Sequence, residues 1–438
     1  MAQFQTNFFQ TGKIMKRPEL TIETFGCKLN TYETEVMRVL SANQNLDDVT
    51  VINTCAVTSE AVRKARKSVR KSRRENPEKF IVVTGCAAQT EPETFAKMKE
   101  VDLVLGNKEK LSAITWKRLE SYKSTKQYKK IQVDDIMKVS TLKSMPISAL
   151  NGRSRAYVQI QNGCDHRCTF CVIPYGRGNS RSVNLNKILD NVNEALQNNF
   201  KEIVLTGVDL TSWGKELLGE EYSLGFLVKK ILDEFKTLPR LRVSSIDPAE
   251  IDYELMEVLE FDDRFMPHLH LSIQHGDDLI LKRMKRRHLY RDVINLVNEA
   301  RRRRPEITFG ADIISGFPTE TSHAHRNTLK LIKEANINFV HTFPFSPREG
   351  TPAAKMKMLS SEIINKRAKE IRDLGHKNKI KYFKSIINNH KKVLIEEGNK
   401  GYTECFSRVQ LNENISPGSL VDVKIISSNK NNLEGILL

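Results

Sequence analysis

The chain has 438 residues, of which 39% are hydrophobic and 28% are charged, a composition typical of a folded protein with several domains. No apolar run approaches the roughly 18 residues that a membrane helix needs, and residues 1–20 contain no hydrophobic signal core. We therefore expect a cytoplasmic protein with no membrane partner. Lys and Arg total 70 against 53 Asp and Glu, and the net charge of +17 favours a nucleic-acid partner. The alternative explanation is a codon bias that raises the Lys content.

The first part of the chain alternates between two kinds of pattern. Short apolar strand patterns cover residues 20–25, 49–53, 80–84 and 101–105. Helical patterns separate them at residues 31–41, 59–75 and 91–100. Strands that alternate with helices predict a parallel sheet. We therefore predict an unstructured tail at 1–17, an N-terminal parallel α/β sheet domain at 18–125 and a linker rich in Lys and Ser at 126–150.

Strand and helix alternate again in the middle of the chain. The candidate strands are Ala156–Gln161, Glu202–Thr206, Leu241–Ser245, Leu269–Ile273, Thr308–Ile314 and Phe339–Phe343. About six parallel units are too many for a small doubly wound sheet and too few for a closed barrel of eight units. We therefore predict a partial (β/α)6 TIM-like barrel at 151–375.

The C-terminal part changes its pattern once more. One long basic helix is predicted at 360–388, and period-two patterning with Gly and Pro turns follows it. The strand patterns cover residues 393–395, 403–410, 420–426 and 433–437. They predict a small antiparallel β module at 376–438, similar to an OB-like barrel. Cys405 falls inside one of these strands and is expected to be a packed thiol.

Six of the seven cysteines form two groups of three. The first group, here called the sheet triplet, is Cys27, Cys55 and Cys86, and each of its members follows one of the first three predicted strands. The strand ends of a parallel sheet share one edge, where ligands bind, so three thiols can converge there on one cofactor. The alternative is three buried structural cysteines. An odd number of cysteines in a cytosolic context argues against a disulfide framework.

The second group, here called the barrel triplet, is Cys164, Cys168 and Cys171, in the pattern Cys-x3-Cys-x2-Cys after the first barrel strand. Three thiolates on one loop can hold three irons of a cubane four-iron cluster and leave the fourth iron open to a substrate or cofactor. Zinc is the alternative, because His166 lies inside the loop. A structural zinc site needs four ligands, however, and no fourth one follows at a usual spacing.

These residues carry a resemblance to a known family. The barrel triplet has the signature of radical S-adenosylmethionine (SAM) enzymes, and Asn-Thr-Cys at 53–55, Gly-Cys-Ala-Ala-Gln at 85–89 and Gly-Phe-Pro at 316–318 resemble their methylthiotransferase branch. Residues 25–35, Phe-Gly-Cys-Lys-Leu-Asn-Thr-Tyr-Glu-Thr-Glu, are similar to the MtaB-type subfamily, which acts on threonylcarbamoyladenosine in tRNA. Two other subfamilies, which act on isopentenyladenosine in tRNA and on a ribosomal protein aspartate, tend to show Gln-Met-Asn and Pro-Lys-Asn after this cysteine.

The resemblance implies the fold and the cofactors. The central domain would be a radical SAM barrel, and the C-terminal module would be TRAM-like. Two [4Fe-4S] clusters and SAM would be bound. The cluster on the barrel triplet would bind SAM through its open iron, and one-electron reduction would cleave the sulfonium. The cluster on the sheet triplet would carry the sulfur that is methylated and transferred. The family glycine that follows Gly-Phe-Pro is Thr319 here, a departure from the pattern.

The resemblance also implies contacts with SAM. Phe170, just before the last cysteine of the barrel triplet, would pack near the adenine. Gly207, at the end of the second barrel strand, would lie beside the methionine part. Asp247 and Gln274 lie near strand ends of the predicted barrel, and we expect them to contact polar groups of the cofactor. The sequence identifies no catalytic residue.

The function implied is a tRNA methylthiotransferase that converts N6-threonylcarbamoyladenosine next to the anticodon to its 2-methylthio derivative. An electron donor of the flavodoxin or ferredoxin type would be a partner. Basic stretches at 63–74, 282–304 and 377–381 favour RNA over a protein substrate. The C-terminal module has no net charge, so its RNA role would rest on shape, or on stacking through Tyr402 or Phe406, or be weak. The alternatives are the two other subfamilies and a non-catalytic RNA-binding protein with a structural metal.

Overall fold

The structure, a computed structural model, describes residues 20–42, 44–142, 144–145, 154–218 and 222–438. The tail predicted at 1–17 and part of the predicted linker lie outside the described residues. No helix in the described part of the chain is long and apolar enough to cross a membrane.

The N-terminal domain is built on a five-stranded parallel sheet, as the sequence predicts. Its strands follow the chain order and are β1 (Thr21–Thr24), β2 (Val49–Thr54), β3 (Phe80–Gly85), β4 (Leu103–Leu105) and β5 (Ile131–Gln132). Its helices are α1 (Lys28–Ser41), α2 (Ser59–Glu75), α3 (Cys86–Thr90), α4 (Pro92–Ala96) and α5 (Ala113–Thr125). The edge strand β5 comes from the segment predicted as a linker at 126–150. Two residues are too short for a strand pattern, so the sequence does not reveal this strand.

Helix α2 illustrates how the sequence builds this domain. The Thr58 side chain caps the helix by accepting a hydrogen bond from the backbone N–H of Ala61 at 3.1 Å. Val62, Ala65 and Val69 recur at helical spacing and are buried in the core on one face of the sheet. The opposite side of α2 leaves its many Lys and Arg side chains at the surface.

The central domain is a partial barrel. Its strands are β6 (Ala156–Gln159), β7 (Gln161–Asn162), β8 (Arg181–Ser182), β9 (Glu202–Thr206), β10 (Arg240–Val243), β11 (Ser245–Ile246), β12 (His268–Gln274), β13 (Thr308–Ser315) and β14 (Phe339–Pro344). Its helices are α6 (Ile173–Arg177), α7 (Leu185–Gln197), α8 (Lys215–Leu218), α9 (Leu224–Glu234), α10 (Tyr253–Phe261), α11 (Asp278–Arg283), α12 (Tyr290–Arg303), α13 (Ser322–Glu334) and α14 (Ser361–Ser385). All six predicted strand positions are strands, which confirms the partial barrel.

Two predicted barrel strands are divided: Ala156–Gln161 covers β6 and the start of β7, and the second case decides how the two sheets connect. Leu241–Ser245 becomes β10 and β11, separated by Ser244. β10 pairs with β9, whereas β11 pairs with β12, and all these pairs are parallel. The third strand position therefore joins the sheet β10-β9-β6 to the sheet β11-β12-β13-β14. Helix α1 of the N-terminal domain packs against β6, with Leu29 and Tyr32 in one core with Tyr157.

The C-terminal module is a closed five-stranded barrel of order β15-β16-β17-β19-β18. Its strands are β15 (His390–Glu396), β16 (Lys400–Thr403), β17 (Arg408–Leu411), β18 (Leu420–Ser428) and β19 (Leu433–Leu437). The pairing is antiparallel except between β17 and β19, which are parallel. Helix α14 runs across the predicted domain boundary at 375 and 376.

The prediction of a single strand at 403–410 is wrong. Residues 404–407 form a turn between β16 and β17, and Phe406 has a φ of 60°, which a β ladder does not accommodate. Cys405 therefore lies in a turn and not in a strand, although its thiol is buried as expected.

The C-terminal module covers the end of the barrel where the strands begin. Glu202, the first residue of β9, is fully buried among Arg155, Arg240 and Arg242. Burial would raise the pKa of Glu202, but these guanidinium groups outweigh burial and lower the pKa to about 2. Arg240 and Arg242 also donate to backbone carbonyls of the module, at 2.7–3.2 Å. One buried carboxylate thus organises the arginines that join the two domains.

Candidate metal centre

The sheet triplet lies at one edge of the N-terminal sheet. Cys55 and Cys86 directly follow β2 and β3, and both are buried, while Cys27 is exposed and precedes α1. Burial first, and then the charges of Cys86 and Cys27, raise the pKa of the Cys55 thiol to about 12. A methyl group at Gly26 would lie 3.0 Å from Cys55 Sγ, so the first loop passes directly beside the second thiol. The structure thus brings the three thiols into the same neighbourhood, and their binding of one shared cofactor stays a prediction.

The barrel triplet lies on the loop between β7 and α6. The backbone N–H of Cys171 donates to Cys168 O at 3.0 Å, which turns the loop back on itself. Arg286 Nη1 lies 3.7 Å from Cys168 Sγ. Burial first, and then the neighbouring Cys168, raise the pKa of the Cys171 thiol to about 12. The pKa of Cys164 is raised as well, by burial first and then by Asp209.

Both triplets have the donor set that an iron–sulfur cluster requires. Each offers three thiolate sulfurs, which leaves one iron of a [4Fe-4S] cluster without a cysteine ligand. Each also faces a guanidinium: Arg177 interacts electrostatically with Cys86 and Cys27, and Arg286 with Cys171. A cationic neighbour stabilises three negatively charged thiolates that lie close together. The residues present therefore fit a cluster at each triplet.

One observation in the structure supports the zinc alternative. Ligand atoms of Cys164, His166 and Asp209 lie within 4.8 Å of one another. His166 Nε2 is 2.9 Å from Asp209 Oδ2, and this hydrogen bond is the main cause that raises the pKa of His166 to about 9. A zinc ion there would leave Cys168 and Cys171 unused. The cluster arrangement uses all three thiols.

A cavity of about 220 Å³, here called the interface cavity, opens between the two triplets' domains. Val57 and Thr58 line it from the N-terminal domain, and Cys171, Phe170 and Gln274 line it from the barrel. Three residues predicted to serve the barrel triplet or SAM thus share one cavity. Gln274 ends β12 with a φ of 69°, a left-handed conformation that is uncommon for a residue other than glycine and concentrates at functional sites.

The other two predicted SAM contacts do not line the interface cavity. A methyl group at Gly207 would lie 2.8 Å from the backbone oxygen of Gln161, so only glycine permits this close approach of two strand ends. Asp247 is buried and forms ion pairs with Arg286 at 2.8 Å and Arg287 at 3.2 Å. The structure thus places Asp247 behind the arginine that reaches Cys168. Contact of Gly207 and Asp247 with SAM stays a prediction.

A buried ion network that sequence reasoning missed lies beneath the sheet triplet. Arg177 of α6 donates to both carboxylate oxygens of Glu33, at 2.8 and 3.0 Å, and Lys110 Nζ is 2.7 Å from the same carboxylate. Lys110 also donates to Asn53 Oδ1 at 3.2 Å. Burial would raise the pKa of Glu33, but the charges of Arg177 and Lys110 lower it to about 2. Because Arg177 belongs to the barrel domain, this network joins the two domains beside the thiols.

The barrel interior holds a second group that the sequence did not single out. Asp312 lines the interface cavity, and its Oδ1 lies 3.0 Å from His270 Nε2 and 3.4 Å from His341 Nδ1. The two histidines also line a cavity of about 480 Å³ between the barrel and the C-terminal module, here called the module cavity. Tyr402 and Phe406 line this cavity, and their rings stack at 4.9 Å.

Two of the three basic stretches differ in the structure. At α2, Arg63, Arg66, Arg70 and Arg348 line a cavity of about 430 Å³ next to the interface cavity along the chain. Arg63 pairs with Glu60, but Arg66 and Arg70 form no ion pair with any described residue, whereas most arginines of the stretch 282–304 pair with acidic side chains. These arginines are Arg286, Arg287, Arg302, Arg303 and Arg304. The stretch at α2 is therefore the better candidate for phosphate contact.

Replacing Gly163 by alanine is expected to empty the barrel triplet alone. Gly163 has a φ of 77°, and a methyl group there would lie 1.9 Å from the backbone oxygen of Asn179, so the loop that carries Cys164 must move. Iron analysis of anaerobically reconstituted protein should give about four irons per chain where the wild type gives about eight.

The matched control for this change is Gly350→Ala. Gly350 has a similar φ of 82°, but a methyl group there would meet no atom of the described residues within 4 Å. It should keep the full iron content. Equal iron losses in the two variants would show that backbone strain alone is responsible and would contradict the steric argument.

Comparison with known proteins identifies the families that this sequence resembles. The sequence matches the models of uncharacterized protein family UPF0004 at residues 19–106 and of the radical SAM superfamily at residues 158–332. Threonylcarbamoyladenosine tRNA methylthiotransferase MtaB of Rickettsia prowazekii (strain Madrid E) is 44% identical over 417 residues, covering 95% of this chain and 97% of that protein. The MtaB of Aquifex aeolicus (strain VF5) is 34% identical and covers 93% and 100%.

A relative with another named substrate is more distant. The tRNA-2-methylthio-N(6)-dimethylallyladenosine synthase of Ehrlichia canis (strain Jake) is 29% identical, covering 95% of this chain and 99% of that protein. Among solved structures, the radical SAM methyltransferase TsrM of Kitasatospora setae superimposes with a TM-score of 0.52 at 15% identity, over 74% of this chain and 67% of that one. At this identity the likeness concerns the fold.

Proposed function

Because the chain belongs to the radical SAM methylthiotransferase family, we propose that it converts N6-threonylcarbamoyladenosine next to the anticodon of tRNA to the 2-methylthio derivative. One observation carries the proposal. Each of the two domains carries a set of three thiols, and the cavity that both domains line includes Cys171 of the barrel triplet and Val57, two residues after Cys55 of the sheet triplet. A reaction that combines SAM cleavage with sulfur transfer can use one set of thiols for each half of its chemistry.

The residues of the site divide the work between the two domains. The barrel triplet would hold the cluster that binds and reduces SAM, and the sheet triplet would hold the cluster that supplies the sulfur, both as [4Fe-4S] clusters. Phe170 and Gln274 would position SAM in the interface cavity. Arg177 and Arg286 would offset thiolate charge from opposite sides. An electron donor of the flavodoxin or ferredoxin type would supply reducing electrons.

Mass spectrometry of tRNA nucleosides from a deletion strain tests this function. The strain should lack 2-methylthio-N6-threonylcarbamoyladenosine and accumulate the unmethylthiolated nucleoside, and the wild-type gene should restore the product. Loss of only the 2-methylthio isopentenyl nucleoside would favour the second candidate, the reaction named for the more distant relative. Unchanged tRNA nucleosides, together with zinc in place of iron in the purified protein, would favour the binding protein with a structural metal.

Replacing Arg70 by glutamine is expected to weaken the binding of all anticodon stem-loop RNAs alike. Arg70 is exposed and lines the arginine-rich cavity at α2, where it is placed to contact a phosphate. The loss of one phosphate contact should raise Kd by about 3–10-fold and lower the slope of log Kd against log salt by about one. Fluorescence anisotropy over a salt series measures both.

Lys230→Gln is the control for the change of charge. Lys230 is exposed on α9 and lines none of the cavities described above. Its replacement should leave the salt slope unchanged. An equal fall in slope for both variants would mean that the net charge of the protein, and not a contact at α2, sets the affinity.

A further inference from the structure

Lys28 places an ammonium group inside the protein, next to the sheet triplet. It directly follows Cys27 at the start of α1 and is only partly exposed. Its Nζ lies 5.8 Å from the centre of the Phe406 ring, so the side chain extends from the sheet triplet toward the C-terminal module. Within the described residues, the ammonium group has no hydrogen bond and no ion pair. Withdrawal of an ammonium group from water is costly unless an anion or an acceptor faces it.

Two arginines approach the same aromatic ring. The guanidinium carbons of Arg155 and Arg242 lie 5.5 and 5.2 Å from the centre of the Phe406 ring. Arg242 forms an ion pair with Glu202 at 2.9 Å and donates hydrogen bonds to backbone carbonyls. Arg155 also pairs with Glu202, but its Nη2 is buried and has no hydrogen-bond partner among the residues that the structure describes. The region around Phe406 therefore presents two unsatisfied cationic donors, Nζ of Lys28 and Nη2 of Arg155.

Lys28 is close to residues of both cavities, because Phe406, which lies 5.8 Å from its Nζ, lines the module cavity. Asp312 lines the interface cavity and interacts electrostatically with Lys28. His270 and His341, which engage Asp312, line the module cavity. A group that enters the interface cavity and extends along the barrel interior would therefore pass Lys28. Asp312 forms close pairs with its two histidines, whereas Lys28 forms no ion pair with any described residue.

The chemistry of the proposed substrate supplies the missing anion. A threonylcarbamoyl group on N6 of adenosine ends in a carboxylate, whereas an isopentenyl group is apolar and uncharged. Carboxylates form short, charge-assisted hydrogen bonds with lysine and arginine. We infer that Lys28, together with Arg155, binds the carboxylate of the threonylcarbamoyl group and thereby selects this substrate. This inference rests on the proposed function and identifies a specificity-determining residue for it.

Binding of three anticodon stem-loop RNAs to the reconstituted holoenzyme tests the inference. The RNAs are identical except at the adenosine next to the anticodon, which carries the threonylcarbamoyl acid, its uncharged methyl ester or an isopentenyl group. The wild type should bind the acid about 10–100-fold more tightly than the ester, the range expected for a buried charge-assisted contact. Lys28→Met should reduce this ratio to about one, and Lys28→Arg should retain most of it.

The ester and a distant arginine serve as controls. Lys28→Met should bind the ester as the wild type does, and Arg70→Gln should weaken all three RNAs while keeping the ratio of acid to ester. The inference is overturned if Lys28→Met keeps the wild-type ratio of acid to ester affinity, or if its affinity for the ester falls as much as its affinity for the acid. It is also overturned if the wild type binds acid and ester equally. None of these results depends on the nucleoside analysis in the deletion strain, so the substrate assignment and the role of Lys28 fail separately.

Discussion

Alanine replacements in the two triplets are expected to separate the two halves of the reaction. Cys168→Ala should abolish both the release of 5′-deoxyadenosine from SAM and the methylthiolation of tRNA, because the barrel triplet no longer offers three thiolates. Cys55→Ala should abolish methylthiolation but retain 5′-deoxyadenosine release, because its thiol belongs to the other domain. Each activity that is lost should fall to the level of a control without enzyme. Each variant should retain about four irons per chain where the wild type holds about eight.

Cys405 provides the matched control within the same chain. It is the seventh cysteine and is buried in the turn between β16 and β17, where its Sγ lies 3.4 Å from the backbone oxygen of Glu306. Cys405→Ala should keep the iron content and both activities. Full iron content in Cys55→Ala, or loss of SAM cleavage in that variant, would contradict the assignment of one cluster to each domain.

The elements that the sequence predicted are those set by local rules. Apolar runs and their alternation with helices locate all six barrel strand positions. The convergence of the sheet triplet follows from a general property of parallel sheets, that the strand ends share one edge. The division of one strand at Ser244 was not predictable, because it depends on which neighbour each half pairs with.

The parts of the site that escaped prediction depend on contacts between distant segments. Glu33 and Arg177 are 144 residues apart and look like ordinary surface charges in a single sequence, yet both are buried. In the sequence, the arginines at 302–304 belong to a predicted RNA-binding stretch. In the structure, their acidic partners include Glu260 and Asp263, about 40 residues earlier in the chain. Charge counts along the chain cannot reveal such pairing.

Thr319 shows how a departure from the family pattern is accommodated. It stands where the family has glycine, and its φ of 71° lies in the left-handed region that favours glycine. Its hydroxyl oxygen accepts a hydrogen bond from Arg283 Nη1 at 2.7 Å, a contact that glycine cannot make. The loop therefore keeps the backbone conformation of a glycine, and a side-chain contact helps to offset its strain.

Replacing Glu33 by glutamine is expected to destabilise the protein strongly. The carboxylate is fully buried between Arg177 and Lys110, so its neutral analogue leaves two buried cations without a counter-charge. Loss of one partner from a buried ion network costs about 3–5 kcal/mol of unfolding free energy. Thermal unfolding of the metal-free protein at about pH 7 should show a midpoint lower by several degrees. Glu299→Gln is the control, because Glu299 pairs with Arg302 and Arg303 at the surface, where such pairs contribute little.

The dependence on pH gives this prediction a second readout. The folded protein lowers the pKa of Glu33 from 4.5 to about 2, so the carboxylate stabilises the fold above pH 4.5. This contribution is lost progressively as the pH falls from 4.5 to about 2. The glutamine variant lacks the contribution at every pH, so the difference in midpoint between wild type and variant should shrink as the solution is acidified. A difference that stays constant from about pH 7 to about pH 3 would mean that packing or hydrogen bonding, and not the charge of Glu33, holds the two domains together beneath the thiols.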